Sequence, residues 1–239
     1  MPKPRNANRA DKDAYFTPVE LCSWCLDQLN DVVELDGAKA LEPSVGSGNF
    51  IKGSSNYSLD WTTNEPFVQY ADGFEPTHQG DFKDQNFRDS LGEFDVIIGN
   101  PPFGDTASRL AKKFVVWALE MAPVVGMVLP KGCRRGRFQD SLPEDVKIVQ
   151  DIDLPDSRFI TPDGTLKPVG CTWMVFQKVK GYSRPQQLDY EPNGYKGENG
   201  GKHPPEWATH GIGLVHNANW LYTVADEDFT IGSLATFWV

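Results

Sequence analysis

The residues best suited to chemistry are Asn100-Pro101-Pro102-Phe103. The run before them, Phe94 to Gly99, carries the β-branched Val96, Ile97 and Ile98. It reads as a buried strand, stopped by a glycine and two prolines. Asn100 is therefore expected at the carboxyl end of a strand, where open α/β sheets hold their ligands. A residue before proline is held extended, and Pro101 has no N–H to donate. What is left is a rigid ridge of acceptors: the Asn100 side-chain oxygen and the carbonyls around Pro101, beside the flat face of Phe103. Such a ridge suits a planar group bearing an NH2, because two acceptors can take its two protons while the ring stacks on Phe103. An amine conjugated to a ring is a poor nucleophile. Two accepted hydrogen bonds favour a pyramidal nitrogen and turn its lone pair toward an electrophile. No strong base is needed beforehand, since the amine becomes acidic only once alkylated. An isolated Asn-Pro-Pro is more simply a tight turn, but ten residues in this pattern at a strand end are harder to explain that way.

Several other stretches could position that ridge. Ala38 to Leu41 reads as a short strand, followed by Glu42-Pro43-Ser44-Val45-Gly46-Ser47-Gly48-Asn49-Phe50. Gly46 and Gly48 allow a tight turn and close approach of backbone to a ligand. The loop lacks the Lys-Ser/Thr of a P-loop, and Ile51 stands where a dinucleotide fingerprint wants a small residue. Glu42, an acid opening the loop, suits an amino-acid ammonium better than a pyrophosphate. Upstream, Ala14 to Pro18 opens a helix that runs to about Asn30. Thr17 is expected as its N-cap, Pro18 at the first helical position, and Glu20 as the partner in a capping box. Tyr57 to Thr63 reads as a second strand so soon after the glycine loop that the helix between must be very short. Leu110, Phe114, Trp117, Ala118 and Met121 fall at helical spacing and mark a core-facing helix. Val124 to Leu129 and Val146 to Ile152 are further strands. Residues 155–169 read as a loop turning at Asp163-Gly164, and Gly170 to Lys178 as the last strand.

Together these runs resemble S-adenosylmethionine-dependent adenine-N6 DNA methyltransferases of the Asn-Pro-Pro-Phe type. Asn100 to Phe103 resembles their catalytic motif and Glu42 to Phe50 their cofactor loop. Tyr15-Phe16-Thr17-Pro18 resembles the Tyr-x-Thr-Pro motif that precedes that loop. The likeness covers about residues 14–178, in the family's order. It implies an α/β, Rossmann-like class I methyltransferase fold, with a mostly parallel seven-stranded sheet and an antiparallel C-terminal hairpin. It implies S-adenosylmethionine as the cofactor, bound by Tyr15, Thr17, Pro18, Glu42, Pro43, Gly46, Gly48 and Asn100. An acid near the end of the second strand would grip the ribose hydroxyls. Glu65 is the nearest, although aligning Pro66 with the usual pattern places Thr63 there. Gly80-Asp81-Phe82 resembles the next motif, in which Asp81 would accept from the cofactor adenine and Phe82 would stack on it. Taken as residues alone, these are an acidic-aromatic pair in a loop. Asn100, Pro101, Pro102 and Phe103 would form the catalytic centre, acting on N6 of an adenine in DNA that is flipped out or single-stranded. Phe159 matches an aromatic that sandwiches the target base; the alternative is a loop aromatic folded onto the core.

A net charge of −10 argues against indiscriminate nucleic-acid binding, so contact with DNA, or RNA, must come from local basic patches. Lys131, Arg134, Arg135 and Arg137 follow a strand expected beside that of Asn100 and are candidates for phosphate contact. Residues 1–12, with Lys3, Arg5, Arg9 and Lys12, read as a basic flexible arm, and residues 13–180 as the catalytic domain. The Pro/Gly-rich residues 181–239 read as an extension packed on that domain. The family's large target-recognition domain is not recognisable. Specificity is therefore expected from the loops at 131–140 and 155–169, from the extension, or from a partner or homodimer. Cys22, Cys25, Cys133 and Cys171 lack paired metal spacing, and Cys22 and Cys25 share an apolar helical stripe with Val19, Leu26 and Leu29. No metal is expected. With neither a signal segment nor a membrane span recognisable, the expected location is the cytoplasm, in a bacterial or phage-encoded restriction-modification setting.

Two other readings stay open. One is the same transfer to RNA adenine or protein glutamine, since those methyltransferases share Asn-Pro-Pro-aromatic. The other is a non-catalytic nucleic-acid-binding subunit that keeps the fold. The Tyr-x-Thr-Pro element favours DNA, and intact Asn100, Gly46 and Gly48 speak against a degenerate subunit.

Overall fold

The computed structural model describes residues 15–183 apart from 68, 70, 72, 104–108, 135 and 140, and the backbone only of residues 136 and 137. The expected basic arm, and all of the expected extension beyond residue 183, lie outside the described residues. In chain order the elements are α1 (Val19–Asn30), β1 (Lys39–Glu42), α2 (Asn49–Gly53), β2 (Asp60–Thr63), α3 (Gln85–Leu91) and β3 (Val96–Gly99). There follow α4 (Arg109–Met121), β4 (Val124–Pro130), a 3-10 turn (Lys131–Arg134), α5 (Gly136–Gln139), β5 (Val146–Asp153), β6 (Arg158–Ile160), β7 (Leu166–Pro168) and β8 (Cys171–Lys178).

Six strands form one sheet in the order β2-β1-β3-β4-β8-β5. β1 pairs in parallel with β2 and β3, and β3 with β4, while β8 runs antiparallel between β4 and β5. The sheet is thus mostly parallel, as expected, and counts six strands among the described residues, against seven in the expectation for the whole fold. Beyond β2 the ladder shrinks to a single parallel bridge between Asn64 and His78, closed by Glu65 N–H to His78 O and His78 N–H to Thr63 O. Pro66 and Pro76 flank this bridge and cannot donate, which keeps a longer strand from forming there. The expected loop at 155–169 instead contains a separate hairpin, β6 paired with β7 around the Asp163-Gly164 turn. Phe16 bridges Ile160 on the other edge of β6. Strands of three residues are too short to show alternation in a sequence.

The sheet is covered on both faces, as parallel strands require. Alternate strand residues go to opposite sides. Val96 and Ile98 join Leu26, Leu29, Phe50, Phe159 and Trp173 in one apolar cluster, while Ile97 joins Phe82, Phe114, Ala118 and Phe176 in the other. The stripe expected at Leu110 to Met121 is α4, with Phe114, Ala118 and Met121 buried. Cys22 and Cys25 lie on α1 with no exposed surface, as core residues.

The start of α1 departs from expectation. Pro18 rather than Thr17 is the boundary residue, with no side-chain capping bond, and Glu20 is exposed. The Thr17 hydroxyl is buried without a partner, so the expected capping box is not formed. Its carbonyl instead accepts from Asn49 Nδ2 at 2.8 Å.

Candidate active site

The sheet order runs outward from β1 to β2 on one side and through β3 to β4 on the other. The ends of β1 and β3 therefore form a switch point, where a crevice opens outside the carboxyl edge. β1 ends in Glu42 and β3 in Gly99, and a Cβ added at Gly99 would lie 3.6 Å from Glu42 Cγ. The absence of a side chain at Gly99 thus brings Glu42 and Asn100 to one place.

They share a cavity of about 30 Å3 with Tyr15, Phe16, Thr17, Val45, Gly46, Asn49 and Phe50. Among the described residues, three buried side-chain polar atoms have no hydrogen-bond partner: Thr17 Oγ1, Glu42 Oε2 and Asn100 Oδ1. All three belong to residues lining this cavity. Buried polar groups left unpaired cost free energy, and their convergence in one place marks where a ligand supplies the missing bonds.

The orientation of Asn100 follows from its other neighbour. Its Nδ2 donates to the Tyr15 carbonyl at 3.1 Å. A carbonyl can only accept, so the amide nitrogen must face Tyr15 and Oδ1 is left as the acceptor. Glu42 is 2 % exposed, and its carboxyl is pushed well above the ordinary glutamate range, first by burial and then by the charge of Glu65. A buried carboxyl without a cation is held neutral, whereas an ammonium beside it would restore the carboxylate.

The loop between β1 and α2 needs both of its glycines. Gly46 has φ +50° and a Cβ there would meet Phe16 at 3.0 Å; Gly48 has φ +73° and a Cβ would meet Phe74 at 2.5 Å. Gly46 N–H donates to Glu65 Oε2 at 3.0 Å and Phe67 N–H to Glu65 Oε1 at 3.1 Å. Glu65, the candidate for the ribose, is 5 % exposed; one carboxyl oxygen braces the glycine loop and the other holds its own turn at Phe67. Thr63, the other candidate, is bonded to Thr77.

Several expected positions fall elsewhere. Asp81 is exposed in a turn, where Oδ1 accepts from Lys83 N–H at 3.0 Å. Phe82, expected to stack on an adenine, is 1 % exposed, with ring centroids 5.1 Å from Phe114 and 6.5 Å from Trp117; it is a core residue. Phe159, expected to sandwich a base, has no exposed surface and packs in the core beneath α1 and the sheet, the alternative reading of that residue. Phe103 is half-buried against both core clusters and keeps part of its surface, beside the half-buried Pro102 and the buried Pro101. Lys131 pairs with Asp153 at 3.3 Å. Arg134 pairs with Asp151 at 2.7 Å and Asp153 at 2.6 Å, and donates to Thr172 Oγ1 at 2.7 Å. Half of the expected phosphate-binding patch is thus neutralised within the chain; Arg135 and the side chain of Arg137 lie outside the described residues.

Two positions were not singled out from the sequence. Asn49 lines the cavity and bonds Thr17; it lay inside the glycine loop, where only the glycines carried a signal. Asn64 has no exposed surface; its Nδ2 donates to the Pro43 carbonyl at 3.1 Å and the Gly80 carbonyl at 3.0 Å, and Oδ1 accepts from Gly80 N–H at 2.9 Å. It ties the glycine loop to the Gly80 loop, and nothing in its local sequence announces that role.

No protein-family model matches the chain, and no curated protein matches it. Among solved structures it is similar to a candidate RNA methyltransferase from Pyrococcus horikoshii, with a TM-score of 0.56 and 18% identity over 76% of this chain and 90% of that one. It is also similar to the type I restriction-modification system methyltransferase subunit of Streptococcus thermophilus, at TM-score 0.51 and 17% identity over 72% of this chain and 46% of that one. The M protein of the type I restriction enzyme EcoKI gives a TM-score of 0.51 and 16% identity over 69% and 44%. The chain spans somewhat less than half the length of these two subunits. Among the described residues no helix is long and apolar enough to cross a membrane. The parallel sheet, its antiparallel β8 and the crevice between β1 and β3 together make this the Rossmann-like fold of methyltransferases.

Proposed function

We propose that the chain transfers a methyl group from S-adenosylmethionine to the N6 amine of an adenine in DNA. One observation carries the reading: Thr17 Oγ1, Glu42 Oε2 and Asn100 Oδ1, buried and unpaired, converge on one cavity at the switch point. A buried carboxyl beside a hydroxyl suits the ammonium of an amino-acid moiety, and an acceptor just beyond it suits an amine. At about 30 Å3 the cavity takes one polar end of such a ligand. The remainder would run along Gly46 and Gly48, past the rings of Phe16 and Phe74. The cofactor, when bound, supplies an electrophilic methyl group on a sulfonium. Glu42 and Thr17 hold the ammonium end, and Tyr15 keeps the amide of Asn100 turned so that Oδ1 accepts from the adenine amine. The carbonyl of Pro101 accepts a hydrogen bond from the second N–H of the amine and Phe103 stacks on the ring. The chain contributes orientation and electrostatics, with no covalent intermediate.

The likeness to two type I restriction subunits supports DNA and a partner or second copy that reads the target. The Pyrococcus horikoshii likeness supports RNA in place of DNA as the second reading, because there the match extends over nearly the whole neighbour. Calorimetry with S-adenosylmethionine tests the cofactor half. Labelled methyl transfer to a panel of DNA, RNA and protein, with the modified atom mapped, tests the rest; label on anything other than adenine N6 in DNA refutes the proposal in its specific form.

A further inference from the structure

Tyr15-Phe16-Thr17 is held on two edges in different ways. Phe16 N–H donates to the Ile160 carbonyl at 2.8 Å, and Ile160 N–H to the Phe16 carbonyl at 2.9 Å. In such a pair the carbonyls of the flanking residues point the opposite way. There they meet two asparagine amides: Asn100 Nδ2 donates to Tyr15 O at 3.1 Å and Asn49 Nδ2 to Thr17 O at 2.8 Å. The amides stand where a neighbouring strand would otherwise pair. Asn100 already has a place in the reading of the site; Asn49 does not.

Asn49 is the first residue of α2, directly after Gly48 in its left-handed conformation, so its direction is set by the glycine loop. It lines the cavity and grips the residue whose hydroxyl is one of the three unpaired atoms. Without it, the contact left to the Thr17 carbonyl among the described residues is a weak one from Cys22 Sγ at 3.7 Å. We propose that Asn49 is a positioning residue for the cofactor: it pins the Thr17 wall to the glycine loop, so that the Thr17 hydroxyl and the Glu42 carboxyl address one ligand group at a fixed separation. This rests on the cavity being the cofactor site.

The test uses the full chain with Asn49→Leu, which keeps the size and shape of the side chain without its donor, and Asn49→Ala. Calorimetry should show S-adenosylmethionine binding weakened roughly tenfold in both. Without cofactor the melting temperature should move by a few degrees at most. At saturating cofactor kcat should stay within about twofold, so that the loss appears in KM, as for binding shared by ground and transition states. An asparagine that only staples the fold gives the reverse pattern, a lowered melting temperature with unchanged affinity, and that result overturns the proposal. Failure of both variants to fold overturns it too. A wild-type chain that binds no cofactor refutes the functional reading together with this one, whereas wild-type binding matched by both variants refutes only this one.

Discussion

Two parts of the carboxyl edge of the sheet treat their polar groups in opposite ways. Around the ends of β1 and β3, with Thr17 ahead of α1, three buried atoms are unpaired among the described residues. At the end of β4, Arg134 meets Asp151, Asp153 and Thr172, while the Thr172 hydroxyl is bonded in turn to Asp151 and the Ile152 carbonyl. Both regions are rich in the residues that chemistry uses. The difference teaches that residue type marks candidates, while the bonds already made decide between them. A cation satisfied by two carboxylates ties the turn after β4 to β5 and β8, whereas a buried carboxyl without a cation keeps an oxygen open.

The largest effect should come from the unpaired side. Asn100→Ala should lower methyl transfer roughly 100-fold or more, as when an oriented transition-state group is removed. Cofactor affinity should change little if, as proposed, Oδ1 accepts from the target amine; near wild-type turnover would refute the contrast at its centre. Glu42→Gln should weaken cofactor binding roughly 30-fold or more, the usual cost of removing one partner of a buried charge pair. In the absence of cofactor the same variant should be as stable as wild type or more so, since it removes a buried ionisable group. Arg134→Ala should do the opposite, losing stability and sparing cofactor affinity.

The pH dependence sharpens the same point. The folded protein holds the Glu42 carboxyl well above its ordinary value, through burial first and the charge of Glu65 second. Its neutral form therefore contributes stability that is fully present below the ordinary glutamate range and is lost as pH rises through the raised value. A cationic ligand favours the carboxylate, so binding should release a proton and affinity should rise with pH across that window. Calorimetry in two buffers of different ionisation enthalpy measures the release. A release that persists in Glu42→Gln would assign it to another group.

Smaller effects test the supports. Gly48→Ala should cost roughly 1–3 kcal/mol, because an L residue is strained at φ +73° and its Cβ would meet Phe74. Urea unfolding reads that loss. Arg134→Ala should cost about 1 kcal/mol, since the pairs are partly exposed and screened. It should also leave the slope of log affinity against log salt for DNA binding unchanged, because this cation is already paired with Asp151 and Asp153. A flattening by about 0.9, the share of one phosphate contact, would show that Arg134 reaches phosphate after all.

The sequence alone determined what local pattern can carry. The buried β3 strand stopping at Gly99, the glycines that allow positive φ at 46 and 48, the very short α2 and the core stripe of α4 each follow from residue type and spacing over a few positions. Residue type also singled out Glu42 and Asn100, since an acid opening a glycine loop and an amide before two prolines restrict the chemistry by themselves. Only the tertiary structure decided which polar groups are satisfied. The bonds of Arg134 to Asp151, of Glu65 to Gly46 and of Asn49 to Thr17 join residues far apart in the chain, and no local pattern encodes them. The same holds for Phe82 and Phe159. An aromatic in a loop reads alike whether it faces a ligand or the core, and burial, set by everything that packs around it, placed both in the core.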